Sequence, residues 1–268
     1  MIKMIKRMLF GAALVLSLSG CATVPYTERQ QFMMVSEKEE SRIGETLFHQ
    51  VKTDSKISPD PDMNALVREV GERIAAAADK KDFKWEFVVI EDPTANAFAL
   101  PGGKVAFHTG IMPIARDADG IAAVMGHEVA HVLARHGAER MSQQQALSIG
   151  ETALMVALLG RSPFVREGIL SAYGLGAKVG VLLPYSRKHE LEADRIGLIL
   201  MAKAGYNPQA AVAFWERMLE RKEGGGAPEF LSTHPSDKQR LADLKGFLPE
   251  AMGYYKKAQN GSRLAQRR

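Results

Sequence analysis

His127-Glu128-Val129-Ala130-His131 constrains this chain more than any other stretch. Residues four apart lie on one helix face, so both imidazoles can turn toward a single ion. The flanking Val124, Met125, Val129 and Val132 are apolar, and a long helix is expected from Asp119-Gly120 to about Arg140. Zinc accepts neutral imidazole, and a catalytic zinc site uses three protein ligands plus a water. Glu128, beside the first histidine, can reach such a water as a general base. The alternative is a structural helix with two satisfied surface histidines.

A third ligand must come from elsewhere. Glu190 and Asp194 lie on a helix expected over Arg187–Ala204, four apart on one face, so one can ligate while the other supports the site. His189 and Glu192 are rotated away, and Glu192 is expected in solvent. His136 is expected to pack internally, and His49 and His108 carry no motif. HExxH followed about sixty residues later by E-x-x-A-D resembles the zinc metallopeptidases related to the CaaX prenyl proteases, peptidase family M48, and within them the bacterial lipoprotein and mitochondrial quality-control branch. The resemblance runs from about residue 27 to 248. It implies an α+β, mainly helical fold of the zincin (gluzincin) type, with a small sheet packed by the HExxH helix. It also implies that one zinc ion is held by His127, His131 and Glu190, and that Asp194 bonds to a ligating histidine. Asn96-Ala-Phe-Ala-Leu-Pro-Gly-Gly103 is similar to the strand before the active helix, whose edge takes extended substrate, which places substrate contacts on Asn96, Ala97, Phe98 and Ala99. Thr233-His234-Pro235 with Arg240 resembles a late motif facing the metal. His234 could bind an oxyanion or act as a fourth ligand; Arg240 could stabilise the oxyanion or hold the late loop. The chain lacks the several transmembrane helices of the prenyl proteases, so a prenylated substrate does not carry over.

The rest of the chain fits one domain over 37–250. Helices are expected over 63–77, from Asn207-Pro208 to about Lys222, and from a Ser236/Gln239 capping box to about Phe247. Strands are expected at Trp85–Ile90 and Lys104–His108, joined by the turn-rich 96–103 as a hairpin with a free edge. Two apolar segments, 146–159 and 169–183, fall short of a bilayer span and read as buried or interfacial helices.

Residues 1–20 read as a secretory signal: a short basic region, then the apolar Met8–Leu18. Leu18-Ser-Gly-Cys21 resembles the bacterial lipobox, and Cys21 is the sole cysteine, which excludes an internal disulfide. Cys21 is therefore expected to carry acyl chains into a membrane, with residues 21–36 as a polar tether. Ala22 after the cysteine points to the outer membrane, facing the periplasm. Removing the signal leaves a charge of roughly +1, and the basic 251–268 reads as a frayed tail. No nucleic-acid partner is implied. The expected activity is zinc-dependent endoproteolysis of unfolded or misassembled envelope proteins. The alternative is a client-binding chaperone or assembly factor; a third reading is a membrane anchor acting through 146–183.

Overall fold

A computed structural model describes residues 20–226 and 228–265. The expected signal segment, apart from Gly20, lies outside the described residues. The chain divides into two compact units, one of residues up to 37 with 135–185, the other of 38–134 with 186 onward. The segment 135–185 thus leaves the single domain expected over 37–250.

In the larger unit, α1 (Glu37–Asp54) and α2 (Pro61–Ala78) come first. Asp60 caps α2, its side chain accepting from the backbone N–H groups of Asp62 and Met63, with Pro61 opening the helix. Strands β3 (Glu86–Ile90), β4 (Ala97–Leu100) and β5 (Lys104–His108) form a sheet in the order β3-β5-β4. The expected simple hairpin is corrected here. β3 runs parallel to β5, and the turn-rich link supplies β4, an edge strand antiparallel to β5. Pro101 and the glycines make the reversal possible: Gly102 and Gly103 sit at φ 84° and 87°, where a side chain would strain the backbone.

A short helix α3 (Met112–Ala115) leads to α4 (Ala118–Leu133), whose first turn is capped by Asp117 accepting from the Gly120 N–H. α4 is buried along almost its whole length and packs on α2 and β4. It ends at Leu133, short of the expected Arg140, because Arg135 takes a left-handed conformation at φ 53°. Helices α5 (His136–Ala157) and α6 (Pro163–Ala177) follow, belonging to the smaller unit. The larger unit resumes within α7 (Leu183–Lys203), then α8 (Gln209–Glu223), the single turn α9 (Phe230–Thr233) and α10 (Lys238–Ala265). α4 and α7 meet backbone to backbone. A Cβ on Gly126 would stand 2.7 Å from the Gly197 carbonyl oxygen, and one on Gly197 would stand 2.9 Å from the His127 nitrogen.

α10 continues through the segment expected to be frayed. Ala251 is fully buried and Glu250 pairs with Arg195 of α7 at 2.8 Å, so tertiary contacts order what composition alone marks as a tail.

In the smaller unit, β1 (Gly20–Thr23) pairs antiparallel with β2 (Gln30–Met33), Cys21 opposite Phe32. These residues were expected to be a tether. They are instead fastened to the start of α5: Arg29 makes a two-point bond to Glu139 at 2.8 and 2.7 Å, Gln31 donates to the same carboxylate, and the Met34 N–H donates to Ser142 Oγ. α5 and α6 carry most of the two apolar segments, the second running on to 183, and α6 buries none of its residues, so of the two expectations "buried" fails. Among the described residues, no helix is long and apolar enough to cross a membrane.

Candidate metal centre

α4 brings His127 and His131 to one face, as their spacing requires, and α7 brings Glu190 against them. Nε2 of His131 lies 3.2 Å from Nε2 of His127; Glu190 oxygens lie 3.4 and 3.5 Å from the two. His234, on the link between α9 and α10, adds Nδ1 at 3.1 Å from both His127 Nε2 and Glu190 Oε2. One donor atom from each of the four residues falls within 4.8 Å of the others. Donors about 2.1 Å from a tetrahedral cation stand about 3.4 Å apart, so these residues fit one such ion. The donor chemistry agrees, since lone pairs of imidazole and carboxylate converge on one point with no ammonium among them.

Nδ1 of His127 faces Oδ1 of Asp194 at 3.0 Å, a close contact outside good hydrogen-bond alignment. That neighbour favours a proton on Nδ1 and leaves Nε2 free to ligate. Arg240 in turn grips Asp194 through Nε at 2.7 Å and Nη2 at 2.9 Å, while its Nη1 reaches Glu190 Oε2 at 2.9 Å and donates to the Pro235 carbonyl. Its guanidinium lies 4.2 Å over the ring of Trp215, which also meets the His127 ring edge-on at 5.6 Å. Trp215 and Phe230, whose ring is 4.5 Å from that of His234, belong to the site and were missed in the sequence. An aromatic residue on α8 reads there as core and nothing more.

Burial acts on every charge in the cluster. It would lower the His127 pKa, but Asp194 and Glu190 reverse this and raise it to about 9 without a metal. Burial would raise Glu190, yet the facing imidazoles hold it well below the carboxylate range. Asp194 is likewise pushed up by burial and drawn below its ordinary value by Arg240. Glu128 goes the other way: burial dominates and its pKa is raised. Glu128 Oε1 is buried without a hydrogen-bond partner, 3.3 Å from His234 Nε2.

The edge strand reaches this carboxylate. His108 N–H bonds to the Asn96 carbonyl, so even-numbered residues of β4 face β5 and the backbone groups of Ala97 and Ala99 point to the free edge. Ala99 N–H donates to Glu128. Asn96 Oδ1 takes the Ala97 N–H at 2.9 Å, and Phe98 packs edge-on to His108. Of the remaining candidates, His189 and His136 are buried outside the cluster, His108 bonds to Thr94, and His49 is exposed. Glu192, expected in solvent, is buried at 7% exposure.

A buried helix with an HExxH donor pair and its own carboxylate, faced by a ligating carboxylate and a supporting one from a second helix, is the arrangement of a metalloprotease. The sequence profile described as Peptidase family M48 matches residues 61–248, and the chain belongs to that family. It is 42% identical over 233 residues to the "Mitochondrial metalloendopeptidase OMA1" of Schizosaccharomyces pombe, covering 85% of this chain and 66% of that protein. The protein of the same name from Saccharomyces cerevisiae is 34% identical over 94% of this chain and 76% of its own length. The "Beta-barrel assembly-enhancing protease" of Escherichia coli is 29% identical over 77% of this chain, which spans 43% of that protein.

Proposed function

We propose that the chain is a zinc-dependent endopeptidase of the bacterial envelope, with His127, His131 and Glu190 as zinc ligands and Glu128 as general base. The observation that carries this is the convergence of those three donors beside a buried carboxylate whose pKa is raised. Zinc, when bound, would polarise the scissile carbonyl and acidify water. Glu128 takes the proton of the attacking water on its unpartnered oxygen and passes it to the departing amine. Burial supports that role, because it raises the Glu128 pKa and makes the carboxylate a stronger base for the water proton. Substrate adds as a strand along the edge of β4, using the outward carbonyls of Ala97 and Ala99 and the Ala99 N–H as it leaves Glu128, a mode that tolerates many sequences.

Arg240 acts by holding. Each of its nitrogens faces Asp194, Glu190 or the Pro235 carbonyl, which favours loop-holding over direct contact with an oxyanion. His234 favours the fourth-ligand role. A closed four-donor set leaves no open position for chemistry, so His234 must withdraw before substrate binds.

The substrates are unfolded or misassembled envelope proteins, and the chain is held at the outer membrane by acyl groups on Cys21, facing the periplasm. The lipobox-like Leu18–Cys21 supports the anchor, and the likeness to the Escherichia coli beta-barrel assembly-enhancing protease supports the substrate class. The test is metal content and casein cleavage of the mature chain beside Glu128→Gln and His234→Ala. Zinc at about one per chain, with cleavage lost by about a hundredfold or more in Glu128→Gln, is expected, together with a gain in His234→Ala. Zinc bound without cleavage in any form would favour a client-binding chaperone, and absence of zinc would end the reading.

A further inference from the structure

The large apolar residues exposed to solvent are unevenly spread. Among the described residues, all but Met34, Leu47 and Ile57 lie between 149 and 183. Apart from Val179 and Leu183, which follow α6, they sit on one arm, the hairpin of α5 and α6, and concentrate at its tip. Leu159 is 70% exposed and Phe164 87% exposed, on either side of Gly160-Arg161-Ser162-Pro163. Ile149 and Val156, seven apart and both half exposed, put apolar surface on one face of α5 leading to that tip. A contiguous exposed apolar surface marks an interaction site.

What covers it is indicated by two features of the same compact unit. The first is charge: Arg161 and Arg166 flank Phe164 and outnumber the neighbouring carboxylate of Glu167, which pairs an aromatic wedge with cations suited to lipid phosphates. The second is continuity with the anchor. Cys21 lies in β1, and the β1/β2 pair is fastened through Arg29 and Gln31 to Glu139 in the first turn of α5. From Glu139 to the tip is about 30 Å of helix at 1.5 Å per residue. An acyl group on Cys21 would hold one end of a stiff arm at a bilayer, and the arm lying along that surface brings the apolar tip to it. We propose that the arm over residues 149–183 docks on an anionic lipid surface, a second membrane contact separate from the acyl anchor. The choice of a bilayer as occupant rests on the anchoring part of the proposed function; the exposed arm does not.

The probe is phosphatidylglycerol vesicles beside phosphatidylcholine vesicles, read by co-sedimentation. The mature chain beginning at residue 21 carries Cys21→Ser, so that no acyl chain contributes. It is expected to bind phosphatidylglycerol, and more weakly in high salt. Leu159→Ser with Phe164→Ser is expected to weaken binding roughly tenfold or more, while casein cleavage stays unchanged as the control for folding. Arg161→Glu is expected to lower binding to phosphatidylglycerol and leave phosphatidylcholine unaffected. Absence of vesicle binding, or binding unchanged in the double serine variant, overturns the proposal. So does self-association that the serine variant abolishes, which would assign the arm to a second copy of the chain. Mass spectrometry of the wild-type chain from membranes tests the anchor separately: a missing acyl mass with vesicle binding intact ends the anchor reading and keeps the arm.

Discussion

Replacing Arg240 by methionine removes the guanidinium that faces both Asp194 and Glu190, leaving His127 as their shared cationic neighbour, while keeping an apolar stem over Trp215. Both carboxylates are almost wholly buried, with side chains 1% and 6% exposed, so they cannot recruit water in its place. Breaking a buried ion pair by deleting one partner costs about 3–5 kcal/mol. With a urea dependence of about 1–3 kcal/mol per molar, the unfolding midpoint should fall by about 1–5 M. The assay is urea unfolding with chelator present, followed by far-UV circular dichroism at several pH values. The pH dependence has a defined sign. In the wild type, Arg240 holds Asp194 below its unfolded value, so its contribution is present above about pH 4 and is lost as pH falls through the folded value. In Arg240→Met, burial is no longer opposed by Arg240 and the Asp194 pKa moves up, so the deficit is largest near neutrality and narrows on acidification. Asp194→Asn added to Arg240→Met should recover part of the loss, because one of the two carboxylates that lost the guanidinium is then neutral, Glu190 keeping only its facing imidazoles. A deficit below about 1 kcal/mol at pH 7, or one that does not change with pH, would refute the reasoning.

Gly197→Ala places a methyl group against the His127 backbone and should push α7 from α4 by a few tenths of an ångström, lowering stability by about 1–3 kcal/mol. Zinc titration should show weaker binding in the folded variant; unchanged affinity would mean the crossing does not set the donor spacing. Ala99→Pro removes an edge N–H that β5 does not use but Glu128 does, so the fold should survive while casein cleavage drops roughly tenfold or more; equal cleavage would end the role given to Ala99 both at the β4 edge and beside the general base. Arg29→Ala leaves Glu139 short of its main partner and should cost about 1–3 kcal/mol. Limited proteolysis should then cut within residues 20–36 sooner than in wild type, and identical digestion patterns would contradict the fastening of β1/β2 to α5.

What the sequence displayed was whatever repeats at short range. The HExxH pair and the Glu190/Asp194 pair are four-residue spacings, and a helix converts such spacing into a shared face without help from the rest of the chain. The apolar periodicity of α2 and the alternation in β3 are equally local. The features that escaped depend on partners far along the chain. Residues 20–36 look like a polar tether because Arg29 and Gln31 find Glu139 only after folding, and 251–265 looks frayed because Glu250 needs Arg195. Parallel pairing of β3 with β5 was hidden by the short link, which suggests a plain hairpin until β4 is seen to occupy it. Trp215 joins the site only because α8 packs against α4. Glu192 was assigned by angle from Glu190 alone, and packing around α7 buries both.

The glycine crossing of α4 and α7 has a consequence for how the centre responds to heat. Side chains between two helices can change rotamer and let the spacing breathe as temperature rises. Two glycines in backbone contact contain no adjustable part. The three donors carried by those helices therefore keep their separation until the pair comes apart as a whole, whereas His234, on its short link, can fluctuate alone. Heating toward the midpoint should loosen that fourth donor gradually and release the ion only in the same cooperative step that unfolds the larger unit.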